Sequence, residues 1–343
     1  MVILACFALF LLLSLYSPAL WAAPMTFPAA APISAGDIAY REQPVYYSGT
    51  QFKRELNAES VGIYGLSHNI AFIFEETPIQ YNQQSFTDPV FHTPHSWGPG
   101  DLSILPRYTF WEQDGIGTTN RLSALGGLLV PMGPHNQSDS YGRLPYALQP
   151  STGAWGTKDG LIFTRQTLST EIDGYGGFVH HTASHGYQLG NEYFADDSLQ
   201  YRIAPKLQET GVPNVETFLV FETNFLVNEN DQQLSTPALA SGRKTPQTTN
   251  DFSMLPAAPA AQTTIADPLQ SGSTLDLVGM TPNMNSGGKL VQFDPGIRFV
   301  GKNWGFAALA EVPGYQHVNG SAPERNYGIL LVYRHVWFTR HHM

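Results

Sequence analysis

From Val291 to Phe299 the chain alternates strictly: Val291, Phe293, Pro295, Ile297 and Phe299 on odd positions, Gln292, Asp294, Gly296 and Arg298 on even ones. A period of two gives an extended segment one apolar and one polar face. The Gly301-Lys302-Asn303 turn follows, then Trp304, Phe306 and Ala308 against Gly305, Ala307 and Leu309, which together predict a hairpin. A last run, Tyr327 to Trp337, sets Tyr327, Ile329, Leu331, Tyr333 and Trp337 against Asn326, Gly328, Leu330, Val332 and Arg334.

The same pattern recurs upstream. Gly36 to Ser48 is the weakest candidate strand, and Gln51 to Tyr64 a better one. Further strands are expected after Ile70, over Leu102 to Phe110, over Asn120 to Pro131, over Tyr193 to Pro205 and over Glu216 to Val227. Leu161 to Leu168 and Ile172 to Thr182 are expected to pair across a Ser169-Thr170-Glu171 turn. The connections alternate. Short ones lie near Ser67, Gly115, Thr170 and Gly301, a medium one from Lys206 to Asn214, and long ones around His92, His135 and His185, from Asn228 to Asn285 and from Pro313 to Glu324. Outer-membrane barrels sort their loops in this way, short turns to the periplasm and long loops outside, on an even number of strands. A soluble sandwich has no reason to. The pattern therefore predicts an all-β protein, a transmembrane antiparallel β-barrel of about twelve strands of the outer-membrane type, with the N- and C-termini periplasmic.

Composition agrees. Charged residues are 13% and aromatic residues 12%, with 32 glycines and 16 tyrosines, whereas soluble domains carry about 25% charged residues. Residues 1–22 read as a secretory leader: an apolar core to Leu15, a Ser17-Pro18 break, then Ala19-Leu20-Trp21-Ala22-Ala23, with cleavage expected after Ala22 or Ala23. No basic residue precedes that core. Beyond it, no stretch approaches the 18 consecutive apolar residues of a spanning helix. The single cysteine, Cys6, falls inside the leader, so a disulfide framework is excluded for the processed chain. Residues 23–35 are Ala/Pro-rich and read as an irregular periplasmic lead-in. The barrel is then expected over 36–338, with an external insertion over 229–271 and a tail over 339–343.

Four phrases carry a family likeness: GPGDLSILPRYTFW, LGGLLVPMG, DPGIRFVGKNWGFAALAEVPGYQHVNG and NYGILLVYR. The chain resembles, from about Val61 to Arg334, the outer-membrane "transporter" family named for the MetA pathway of phenol degradation; the stretch from Asn228 to Ser271 is unmatched. The resemblance implies a monomeric barrel that passes small, often hydrophobic or aromatic molecules. The chain departs from that family after Tyr333-Arg334, continuing through His335-Val336-Trp337-Phe338 to a Thr-Arg-His-His-Met tail.

If the greasy faces meet lipid, the opposite faces line the lumen, and Arg107, Arg202, Gln200, Glu222, Gln292, Asp294, Arg298 and Arg334 become the candidate pathway residues. Desolvated charges must be paired. Two readings stay open: Arg298, Asp294, Glu222 and Arg334 form a structural ion-pair network that plugs or stiffens the interior, or the same residues form a charge-selecting constriction. Eleven histidines are present, but His92 and His95, His180, His181 and His185, and His341 and His342 show no ligand spacing, so no metal site is expected. The absence of a G-x-S-x-G elbow and of a dinucleotide fingerprint argues against an enzyme and against a cofactor. A net charge of −10 without a basic patch argues against nucleic acid. The expected partners are outer-membrane lipid, a small-molecule permeant and the barrel-insertion machinery. The expected function is passive or facilitated passage of a small molecule; the alternative is a non-conducting barrel whose external loops bind a ligand or a partner protein.

Overall fold

The computed structural model describes residues 23–30, 33–49, 52–84, 95–139, 142–144, 148–205, 215–234, 280–283, 286–319 and 324–338. The leader over 1–22, most of the 229–271 insertion and the tail over 339–343 lie outside the described residues.

Twelve long strands form the wall: β1 (Ile38–Gly49), β2 (Phe52–Gly65), β3 (Ile70–Gln84), β4 (Leu102–Gly115), β5 (Thr118–Val130), β6 (Gly156–Thr167), β7 (Thr170–His181), β8 (Glu192–Ala204), β9 (Glu216–Asn228), β10 (Gly288–Val300), β11 (Trp304–Val318) and β12 (Arg325–Trp337). Each pairs antiparallel with its neighbours in sequence, and β1 pairs with β12 from Ile38 opposite Trp337 to Gly49 opposite Arg325. The sheet is thereby closed, and every strand has two partners. Closure removes the free edges that a membrane cannot tolerate, because lipid offers no partner to a backbone N–H or C=O.

The alternation read from the sequence sets the two faces. On β9, Leu219, Phe221 and Phe225 are exposed, whereas Phe218, Val220 and Glu222 are buried inside. On β10, Phe293 faces out and Gln292, Asp294 and Arg298 face in. The outer surface carries Leu161, Ile172, Leu199, Leu219, Phe221, Ile329 and Leu331. Exposed tyrosines flank this belt, with Tyr64, Tyr108 and Tyr201 toward one end and Tyr193, Tyr315 and Tyr327 toward the other. An apolar band between aromatic girdles is the surface of a lipid-facing barrel. Phe221 stands mid-strand, opposite Leu199 and Pro295, with its ring 6.0 Å from that of Phe293. Phe221→Arg is expected to destabilise the barrel by about 2–4 kcal/mol. Urea titration of the heat-modifiable gel band would read that loss.

Several boundaries differ from the sequence reading. The weak Gly36 to Ser48 candidate is a full strand, β1, because barrel closure supplies partners on both of its sides. β3 continues through Pro78 to Gln84, into the long connection expected around His92, since β2 and the short strand His95–Gly98 pair with it there. The expected Ser169-Thr170-Glu171 turn is displaced: β6 ends at Thr167 and β7 begins at Thr170, so Glu171 belongs to the strand and points inward. In the long connection, Gln232–Leu234 pairs with Met280–Pro282.

Candidate functional site: an occluded lumen

The wall encloses two apolar half-cores rather than an empty pore. Phe218, Val220, Val300, Ala307, Leu309, Leu330 and Val332 form one, and Val61, Ile73, Leu105, Leu125, Ile162 and Tyr175 the other. What fills the space between them is the chain's own Ala/Pro-rich segment. Residues 23–30 are irregular, as expected, but they lie inside the barrel and not outside it as a lead-in. Met25 packs into the first cluster and Phe27 and Ala30 into the second. The Phe27 ring is 6.2 Å from that of Tyr175.

The turn that carries the chain in is built from glycines. Gly36 adopts φ 85°, which favours glycine, and its N–H bonds to Gly65 O at 2.7 Å. Gly65 ends β2 against Ser34, whose carbonyl oxygen would lie 2.1 Å from any Cβ placed there. From this corner the segment runs inward along β6 and β4, where Ala30 and Ala29 are bonded. It crosses the lumen at Thr26 and Phe27, then returns to Ala23 beside Arg298. Both arms therefore point toward the end of the barrel that holds the start of β1 and the end of β12.

A segment without secondary structure must find partners for its backbone in a dry interior. Pro24 and Pro28 help by having no N–H. Side chains of the wall supply the rest. Glu222 accepts the N–H of Met25 at 2.7 Å, the N–H of Thr26 at 3.0 Å and the hydroxyl of Thr26 at 2.6 Å. Arg298 donates to Ala23 O and to Gln200 Oε1, both at 2.8 Å. Arg41 donates to Pro24 O at 3.0 Å, and Arg107 to Ala29 O. Thr164 accepts the Ala30 N–H at 2.9 Å and donates to Asp173 Oδ1 at 2.6 Å.

The sequence-derived pathway residues thus separate into groups. Arg107, Glu222 and Arg298 hold the segment directly. Gln292 and Asp294 stand behind it: Gln292 donates to Asp294 at 3.0 Å, and Asn224 links Asp294 to the Thr26 hydroxyl. Arg334 lines a cavity beside Arg107, Arg41 and Ala23. Arg202 is not brought to the others; it pairs with Glu216 at 2.6 Å where β8 ends and β9 begins. The bonds of Glu222 and Arg298 go to the segment's backbone, and those of Asp294 to Gln292 and Asn224, in place of the ion-pair network that the first reading of these charges expected.

On the loop side of the segment a cavity of about 430 Å³ opens, reaching from Thr26 and Phe27 to His181 and Arg325. Five carboxylates line it, Glu59, Glu75, Glu192, Asp196 and Glu311, against three permanent cations, Arg41, Lys158 and Arg325. Those cations are engaged: Lys158 with Glu75 at 2.9 Å, Arg325 over the Tyr47 ring at 4.3 Å, and Arg41 on the segment. The smaller cavity with Arg334 lies on the other side, also bounded by Ala23, Pro28 and Ala29. Residues 23–30 are therefore the partition between two spaces.

Sequence reasoning missed Arg41, Asn224, Thr164 and the acidic wall, each of which occupies an inward position of its strand. It had no signal for the partition itself.

No family model and no curated protein matches the chain. Among solved structures it is similar to the COG4313 outer membrane channel from Pseudomonas putida F1, with a TM-score of 0.56 at 12% identity, over 92% of this chain and all of that one. LpxR from Salmonella typhimurium aligns with a TM-score of 0.38 at 9% identity, over 88% of this chain and 99% of the other. The first likeness shows a shared fold. The chain is a twelve-stranded barrel of the outer-membrane type.

Proposed function

We propose that this protein is an outer-membrane channel for small hydrophobic or aromatic molecules, working by diffusion down a gradient, with the end that carries the termini in the periplasm. The observation that carries the reading is the partition. Residues 23–30 are held between two cavities by side chains of the wall and by no strand pairing, so they can yield without opening the wall. Two apolar half-cores on either side of Met25 and Phe27 would offer a permeant apolar surface as the segment moves. Similarity to an outer membrane channel and the resemblance to the phenol-pathway family both support passage over catalysis. Processing of a leader after Ala22 belongs to the same reading.

A second reading, a silent barrel that binds through its long loops, is favoured by the occlusion itself. Conductance in planar bilayers separates the two. A channel gives ion flow that rises when the segment is loosened; a silent barrel gives none before or after.

The acidic lining of the loop-side cavity makes a further expectation. In a narrow, weakly screened space, fixed carboxylates attract cations and repel anions. With a potassium chloride gradient the reversal potential is expected on the cation-selective side. Replacing Glu192 and Asp196 by Gln and Asn is expected to move it toward zero. An anion-selective reversal would reject this account of the lumen.

A further inference from the structure

Two carboxylates are only partly explained by the contacts above, Asp173 through its bond from Thr164 and Glu171 not at all. Glu171 and Asp173 point inward from β7 and are each only 1% exposed. Apart from each other, both carboxylate oxygens of Glu171 and the Oδ2 of Asp173 lack a hydrogen-bond partner among the described residues. Buried carboxylate oxygens without donors are costly, and a side-by-side acidic pair more so. Arg298 stands nearby, but it donates to Ala23 O and Gln200 Oε1.

Their position relative to the inner segment is specific. Glu171 is the cross-strand partner of Gln200 on β8, and Asp173 that of Thr164 on β6. Gln200 shares the Arg298 guanidinium with the carbonyl of Ala23, while Thr164 bonds the N–H of Ala30. The two arms of the segment therefore rest on the side chains that flank the acidic pair. The group this pocket calls for is a compact cation with several N–H donors, which an ammonium supplies and an amide does not.

We propose that Glu171 and Asp173 are the docking site for the α-ammonium group of this chain's own processed N-terminus at Ala23. The proposal rests on leader cleavage after Ala22. That hydrolysis consumes one water: the Ala22–Ala23 amide bond breaks, Ala22 leaves as a carboxylate, and the Ala23 nitrogen becomes an ammonium with three donors and one positive charge. The unprocessed chain has a single neutral N–H there. Cleavage thus creates the charge that the pair is built to receive, and the partition is completed only in the mature protein.

The test is made on the full-length protein purified from outer membranes. Intact-mass spectrometry is expected to give a chain beginning at Ala23; a chain beginning at any other residue overturns the proposal. Reductive methylation of the folded barrel with formaldehyde and cyanoborohydride, followed by tryptic mapping, then reads the reactivity of the N-terminal peptide, which ends at Arg41. Lys302, exposed in the turn between β10 and β11, serves as the internal standard. Methylation of the Ala23 amine is expected to be on the order of tenfold faster in the E171Q/D173N variant than in the wild type, the loss expected when a charge-assisted pair is removed. Lys302 should be unchanged. Equal labelling of wild type and E171Q/D173N overturns the proposal. If E171Q/D173N gives no heat-modifiable band, Glu171→Gln alone takes its place, with an intermediate rate expected and a wild-type rate counting against the site. None of these readouts depends on conduction, so failure here is distinct from failure of the channel reading.

Discussion

Deleting residues 24–30 is expected to convert an occluded barrel into an open one, with single-channel conductance rising on the order of tenfold as the lumen of a twelve-strand wall is cleared. The segment contributes no strand pairing, so the wall keeps all its ladders. What is lost is the burial of Met25 and Phe27, worth about 1.5–3 kcal/mol each, and the bonds made to residues 24–30 by Arg41, Arg107, Thr164 and Glu222. Water entering the cleared lumen satisfies those four side chains. The variant should therefore still insert and still show a heat-modifiable band, while its conductance changes. A variant that folds but conducts no better than the wild type would mean that the closure lies elsewhere, in the loops, and would remove the partition from the mechanism.

Glu222→Ala is expected to produce the largest effect of any single substitution. One carboxylate holds three donors of the segment, two of them backbone N–H groups. Charge-assisted hydrogen bonds contribute about 1.5–3 kcal/mol each, and partial replacement by water leaves a net loss of about 3 kcal/mol. That shifts the ratio of seated to released segment by roughly 100-fold. In a bilayer recording it reads as a large rise in the fraction of time spent in the high-conductance state. Glu222→Gln keeps an acceptor oxygen and should fall between the two. The same substitution leaves the outer surface untouched, so the resistance of the barrel to urea should change little, in contrast to Phe221→Arg. A matched loss of urea resistance without any change in gating would show that Glu222 supports the wall and not the segment.

These two expectations rest on residues of unequal legibility. Glu222 and Arg298 could be placed in the lumen from the sequence, because side chains alternate along a strand and their neighbours Phe221, Phe225, Phe293 and Phe299 needed lipid. Arg107, Gln292 and Asp294 follow by the same argument. Arg202 met that criterion too, yet it stands where β8 ends and pairs with Glu216; alternation gives the face of a strand and not the depth at which a residue sits. Glu171 failed for the opposite reason. A turn misplaced by two residues hid it, since a Thr-rich connection gives no sharp boundary between strand and turn.

The weak strand β1 shows how topology overrides local signal. Its sequence has little alternation, but an even number of strands with sorted loops demanded a strand there, and closure against β12 gave it partners over its length.

The sequence by itself determined the class of protein: period-two faces, sorted loop lengths and a low content of charge are local or countable properties, and each follows from the need to satisfy every backbone group in lipid. Only the tertiary structure decided what the lumen contains. Residues 23–30 have no periodicity, and their partners, from Arg41 to Arg298, are scattered over nearly the whole chain. A segment held by side chains from strands far apart in sequence leaves no pattern in its own residues; its place exists only once the barrel has closed around it.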